Sequence, residues 1–172
     1  MGGNTAWRYA LAYPQHVDRL ILIDSAGYPN ESAPLLEHEA GPVMRWLHRN
    51  GNPALVVRRG FDRAVADPSI VNSAYVARSV DFLRRAGSRD ALAKRNRMRN
   101  TEQQPVERVA EIRAPTLVIW GEEDAVLPVS AAHRFRAALP DSELLLYTRV
   151  GHMPQLEVPE RLSRDMRAFL MR

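Results

Sequence analysis

Pro115-Thr116-Leu117-Val118-Ile119-Trp120-Gly121-Glu122-Glu123-Asp124 is the stretch that decides the fold. Leu117 to Trp120 are apolar without alternation, so a strand here buries both faces, as in a parallel sheet covered by helices on each side. Gly121 ends the run and three acids follow in a loop. Working outward, the same texture recurs at Leu20-Ile21-Leu22-Ile23, closed by Asp24, Ser25, Gly27 and Pro29, and at Leu144-Leu145-Leu146-Tyr147. Helical patterns lie between and around these runs. Ala6, Tyr9, Ala10 and Tyr13 share a face within Asn4 to Tyr13, and Pro14 stops that helix. Ser130 can cap a helix carrying Ala131, Phe135, Ala138 and Leu139. A last helix, with Pro159 in its first turn, places Val158, Leu162, Met166, Phe169 and Leu170 on one face. The alternation predicts an α/β fold with a parallel sheet of about three strands and flanking helices.

The texture changes between Tyr28 and about Arg113, where charged helical segments broken by Gly and Pro show no strand pattern. Pro42 to Asn50 reads as a helix that Gly51 closes, and the segment around Val76, Val80 and Leu83 ends at Gly87. This divides the chain into a first core segment over 1–27, a helical insertion over 28–113 and a second core segment over 114–172. Arg84, Arg85, Arg89, Lys94, Arg95, Arg97 and Arg99 cluster in the insertion, but no aromatic residues interleave for base stacking. A solvated helix face is the expectation there, and nucleic acid is not expected as a partner.

Composition agrees with a soluble globular chain: 172 residues, 24 Lys+Arg against 20 Asp+Glu for a net charge of +4, and 45% hydrophobic residues. The absence of cysteine excludes disulfides, thiolate metal sites and a cysteine nucleophile within these residues, and leaves the redox compartment open. No run approaches the length of a membrane span, and Met1-Gly2-Gly3-Asn4 lacks the layout of a secretion signal. A cytoplasmic protein without membrane contact is therefore expected.

In open α/β sheets functional groups collect in the loops beyond the carboxyl ends of the strands. The first loop offers Asp24 and Ser25, the second Glu122, Glu123 and Asp124, the third Gly151 and His152. An acid after one strand and a histidine after the next can meet at the top of the sheet, where the carboxylate fixes the imidazole tautomer of a general base. His16, His38, His48 and His133 have no partner at metal-ligand spacing and read as structural. Trp7 and Trp120 read as packing, and Met44 and Trp46 as walls of a pocket.

The ordered set of Pro115 to Trp120, Gly121-Glu122-Glu123-Asp124, Pro128 and Gly151-His152 before a final helix resembles the α/β-hydrolase superfamily, essentially from end to end. The resemblance implies that Asp124 is the acid and His152 the base of a triad, with Asp24 as alternative acid, and that the insertion is a cap over the active site. A small-molecule ester or related carbonyl substrate is implied, and no metal or organic cofactor.

The family's nucleophile elbow is G-x-S-x-G, often with a second glycine, and Met1-Gly2-Gly3-Asn4 looks like that elbow continued from just after its serine. Met1 then holds the position whose N–H serves the oxyanion hole, and Gly2 and Gly3 allow the tight turn. Neither Ser25 nor Ser130 lies between glycines on a strand-to-helix turn, so the nucleophile is expected upstream of the chain. Three readings follow: an esterase or carbon–carbon bond hydrolase completed by an upstream serine, a relative with an Asp nucleophile (dehalogenase or epoxide hydrolase), and an inactive fragment or binding remnant. One edge of Leu20 to Ile23 is expected to lack a neighbour, which invites self-association.

Overall fold

The computed structural model describes residues 1–28, 52–88, 90–91, 94 and 106–172. In chain order the elements are α1 (Gly2–Ala12), β1 (Leu20–Ile23), α2 (Pro53–Ala64), α3 (Ser73–Arg84), β2 (Thr116–Gly121), α4 (Ser130–Ala138), β3 (Ser142–Tyr147), α5 (Pro154–Glu157) and α6 (Pro159–Leu170). The three strands form one sheet in the order β1-β2-β3. Both pairings are parallel: Leu20 lies opposite Thr116 and Ile23 opposite Ile119, while Ser142 lies opposite Thr116 and Tyr147 opposite Gly121. All three carboxyl ends therefore open at the same edge, from which the loops bearing Asp24, Asp124 and His152 depart.

β2 is central and buried along its whole length. Its pleat sends Val118 and Trp120 into one core with Trp7, Leu22, Phe135 and Leu139, and Leu117 and Ile119 into another with Tyr147, Leu162 and Phe169. The unbroken apolar run thus serves two layers, which is why it carries no alternation. The indoles of Trp7 and Trp120 are fully enclosed and donate to the carbonyls of Ala26 and Leu127 at 3.1 and 3.3 Å. Each contributes about 4 kcal/mol of apolar transfer free energy without stranding its N–H. β1 has β2 on one edge and no other partner strand among the described residues.

Several sequence expectations are corrected in detail. Ser130 does not cap α4; it is the first helical residue, exposed, and the N-cap is Val129 with no side-chain bond. Leu170 does not join the apolar face of α6 but is half exposed, because Leu162 and Phe169 already fill the contact with the sheet. α1 begins at Gly2 rather than Asn4, and β3 at Ser142 rather than Leu144. Asn52 and Asn72 cap α2 and α3 by accepting the N–H groups of Ala54 and Tyr75 at 3.0 Å each. Gly87 follows α3 with φ of +79°, the left-handed geometry expected of a helix-closing glycine. The expected helix over Pro42 to Asn50, together with Met44, Trp46, His38 and His48, lies outside the described residues, as do Arg89, Arg95, Arg97 and Arg99. No helix among the described residues is long and apolar enough to cross a membrane.

Candidate active site

Asp124 is built into the loop after β2 as the acceptor of a tight turn. Its Oδ1 takes the N–H groups of Val126 and Leu127 at 2.7 and 2.9 Å, and its side chain has no solvent exposure. Both bonds fix the carboxyl plane and leave Oδ2 pointing at His152, whose Nδ1 lies 2.7 Å away. As donor to that oxygen, Nδ1 carries the ring proton and Nε2 keeps its lone pair. The His152 side chain is 24% exposed.

Two glycines let the loops approach. A Cβ on Gly121 would sit 2.0 Å from the carbonyl oxygen of Gly151, and one on Gly151 would sit 2.6 Å from that of Ala64, so neither position accepts a side chain without moving backbone. The glycine of Gly-His is thus a packing requirement between β3's loop and the end of α2. The His152 N–H donates to Ala64 O at 2.6 Å, which ties the same loop to α2.

Sequence reasoning missed Glu157. From α5 its carboxylate accepts the N–H of Gly151 at 2.9 and 3.0 Å, that of Met153 at 3.2 Å and that of Ala66 at 2.8 Å. It therefore clasps both neighbours of His152 and the turn after α2. Nothing in the local sequence announces this, because Ala66 is far away along the chain. Glutamine keeps one acceptor oxygen and turns an amide N–H₂ toward the other donors. Glu157→Gln is expected to lower stability by about 1 to 3 kcal/mol in urea unfolding; an unchanged midpoint would show the clasp to be dispensable.

The remaining expected residues fall as follows. Asp24 is buried beside the pair, with one oxygen accepting the Gly121 N–H at 3.0 Å. It does not replace Asp124, which alone of the two bonds His152 Nδ1. Met1 is the N-cap of α1 and its carbonyl accepts from Thr5 N–H at 3.2 Å. A Cβ on Gly3 would meet Ser25 Oγ at 2.2 Å, whereas Gly2 has open space around it. Ser25 is buried against Gly3 and donates to Ala26 O, and Glu122 and Glu123 are exposed. His16 lies 3.3 Å from the Tyr9 hydroxyl, and both it and His133 are exposed.

The profile of the alpha/beta hydrolase fold family matches residues 1–159. The chain belongs to the α/β-hydrolase family. It is 31% identical to a 2-hydroxy-6-oxononadienedioate/2-hydroxy-6-oxononatrienedioate hydrolase of Burkholderia vietnamiensis over 178 residues, covering 100% of this chain and 60% of that protein. It is 25% identical to Lipase 3 of a Moraxella species, covering 98% and 53%. Among solved structures, a meta-cleavage product hydrolase from Pseudomonas fluorescens superposes with a TM-score of 0.82 at 24% identity, covering 98% of this chain and 61% of that one. The chain thus spans about 60% of the length of the first of these curated relatives. Within this α/β-hydrolase the loops after β2 and β3 bring Asp124 Oδ2 and His152 Nδ1 to 2.7 Å.

Proposed function

We propose that this chain is the C-terminal part of a serine hydrolase that cleaves a carbon–carbon bond next to a carbonyl, with His152 as general base and Asp124 as its orienting acid. The observation that carries the reading is the 2.7 Å contact between His152 Nδ1 and an Asp124 carboxylate already pinned by two backbone N–H groups. A serine just upstream of Met1 attacks the substrate carbonyl while His152 Nε2 takes its proton. The imidazolium that forms is stabilised by Asp124, and it returns the proton to the leaving fragment. The N–H of Met1, at the start of α1, faces the developing oxyanion, where the positive end of the helix dipole adds stabilisation.

The choice of carbon–carbon cleavage over ester cleavage follows the Burkholderia relative, named a hydrolase of 2-hydroxy-6-oxononadienedioate and 2-hydroxy-6-oxononatrienedioate, and the Pseudomonas structure, named a meta-cleavage product hydrolase. The Moraxella relative, named a lipase, favours esters as the second reading. The two are separated by extending the chain with the codons upstream of Met1 and assaying a 2-hydroxy-6-oxodienoate beside a short-chain nitrophenyl ester. Faster turnover of the dienoate is expected. Turnover of the ester alone supports the second reading, and an upstream sequence without Gly-x-Ser overturns both.

A further inference from the structure

The reaction proposed above makes no use of Asp24, which among the described residues is the one buried carboxyl with an unsatisfied oxygen. Asp24 follows β1 with φ of 42°, a left-handed conformation uncommon outside glycine that aspartate and asparagine adopt more readily than other residues. The kink brings its carboxyl to the end of β2. There one oxygen accepts the Gly121 N–H at 3.0 Å, while the other is enclosed and has no hydrogen-bond partner. One oxygen of Asp24, one of Asp124 and one ring nitrogen of His152 all lie within 4.8 Å of one another. Two carboxyls and an imidazole at that spacing do not titrate independently.

The donors decide which carboxyl holds the charge. Asp124 receives Val126 N–H, Leu127 N–H and the imidazole, whereas Asp24 receives one N–H. Of the two, Asp24 is therefore the carboxyl whose charge is less well satisfied and on which a proton is more readily held. Burial pushes the Asp24 carboxyl up to about 7; the Gly121 N–H opposes that rise, the charges of Asp124 and Glu157 add to it and His152 opposes it. Asp124, His152 and Glu157 are thus the titratable groups that act on it.

We infer that Asp24 is a positioning residue that acts through His152, setting the proton affinity of the base by the presence or absence of a second anion beside the imidazole. With one proton to place, the cluster can hold it on Asp24, leaving His152 neutral, or on His152, leaving Asp24 ionised. Only the first arrangement is competent to take a proton from a nucleophile. A neutral side chain at position 24 removes the second arrangement's extra anion, so the imidazolium becomes easier to discharge.

The inference rests on His152 being the base, but the coupling can be measured in the chain as it stands, without turnover. The His152 ring resonances are followed by NMR from about pH 5 to about pH 9 in the unaltered chain and in Asp24→Asn. Asparagine keeps the acceptor for Gly121 N–H and cannot ionise. The unaltered chain is expected to give two inflections in the His152 ring resonances, and the variant a single one displaced downward. His16 and His133 lie outside the cluster and should titrate identically in both. An unmoved His152 midpoint in the variant overturns the inference. If the variant does not fold, the unaltered chain decides alone: the inference is overturned if the Asp24 carboxyl carbon titrates at a pH where the His152 ring shows no inflection. A displaced midpoint combined with full activity of a His152→Ala enzyme would instead sink the assignment of the base and leave the coupling standing.

Discussion

His152→Ala in a protein carrying its upstream nucleophile is expected to lower kcat by about 10³-fold or more, with KM changed little. The size follows from what the imidazole does. Without it a serine hydroxyl keeps its proton at neutral pH, and the leaving fragment has no acid to protonate it. What survives is the rate supplied by the oxyanion donors and by substrate positioning, which do not depend on residue 152. The substitution leaves the loop anchored, because the backbone N–H of residue 152 keeps its bond to Ala64 O and the Gly151 and Met153 bonds to Glu157 are main-chain donors, but it takes the imidazole from the buried Asp124 Oδ2. A loss of activity in a protein that is still folded, with a lowered melting temperature, is therefore the signature to look for. An unchanged kcat rules out His152 as the base.

Asp24 dominates the expected pH dependence of stability. Its carboxyl stands at about 7 in the folded chain against an ordinary 3.8. The native state thus keeps a proton that the unfolded chain has already released. Its contribution is fully present below about pH 4 and is lost progressively as the pH rises to about 7. Asp24→Asn should remove that decline, so that near pH 7 the variant is the more stable of the two. Urea unfolding at about pH 5 and about pH 7 measures both slopes. Parallel slopes in the two proteins would mean that Asp24 is ionised in the folded chain at both pH values.

The sheet was legible because burial on two faces leaves a plain mark: Leu117 to Trp120 and Leu20 to Ile23 are apolar without alternation, and each proved a strand. The neighbourhood of Asp124 and His152 was legible for a related reason, since parallel strands deliver their carboxyl ends to one place. Ser130 misled because a serine before an apolar face has two uses, and propensity does not say whether the hydroxyl or the turn geometry opens the helix. Glu157 was illegible: its three donors come from the ends of α2 and from either side of His152, a set defined only by folding. Asp24 was visible as a rival to Asp124. Its place beside Asp124, rather than instead of it, goes with a left-handed φ that aspartate tolerates but does not require.

The contact of Ala64 and Ala66 with the His152 loop joins two parts of the chain that sequence texture separates. His152 donates to Ala64 O, and Ala66 N–H donates to the carboxylate that holds Gly151 and Met153. The final turn of α2 is therefore a fulcrum for the imidazole. A tilt of that helix is carried to the imidazole through one backbone–backbone bond and through the Glu157 carboxylate that bridges Ala66 to both neighbours of His152. A substitution that shifts the end of α2 is therefore felt first in the orientation of the His152 ring.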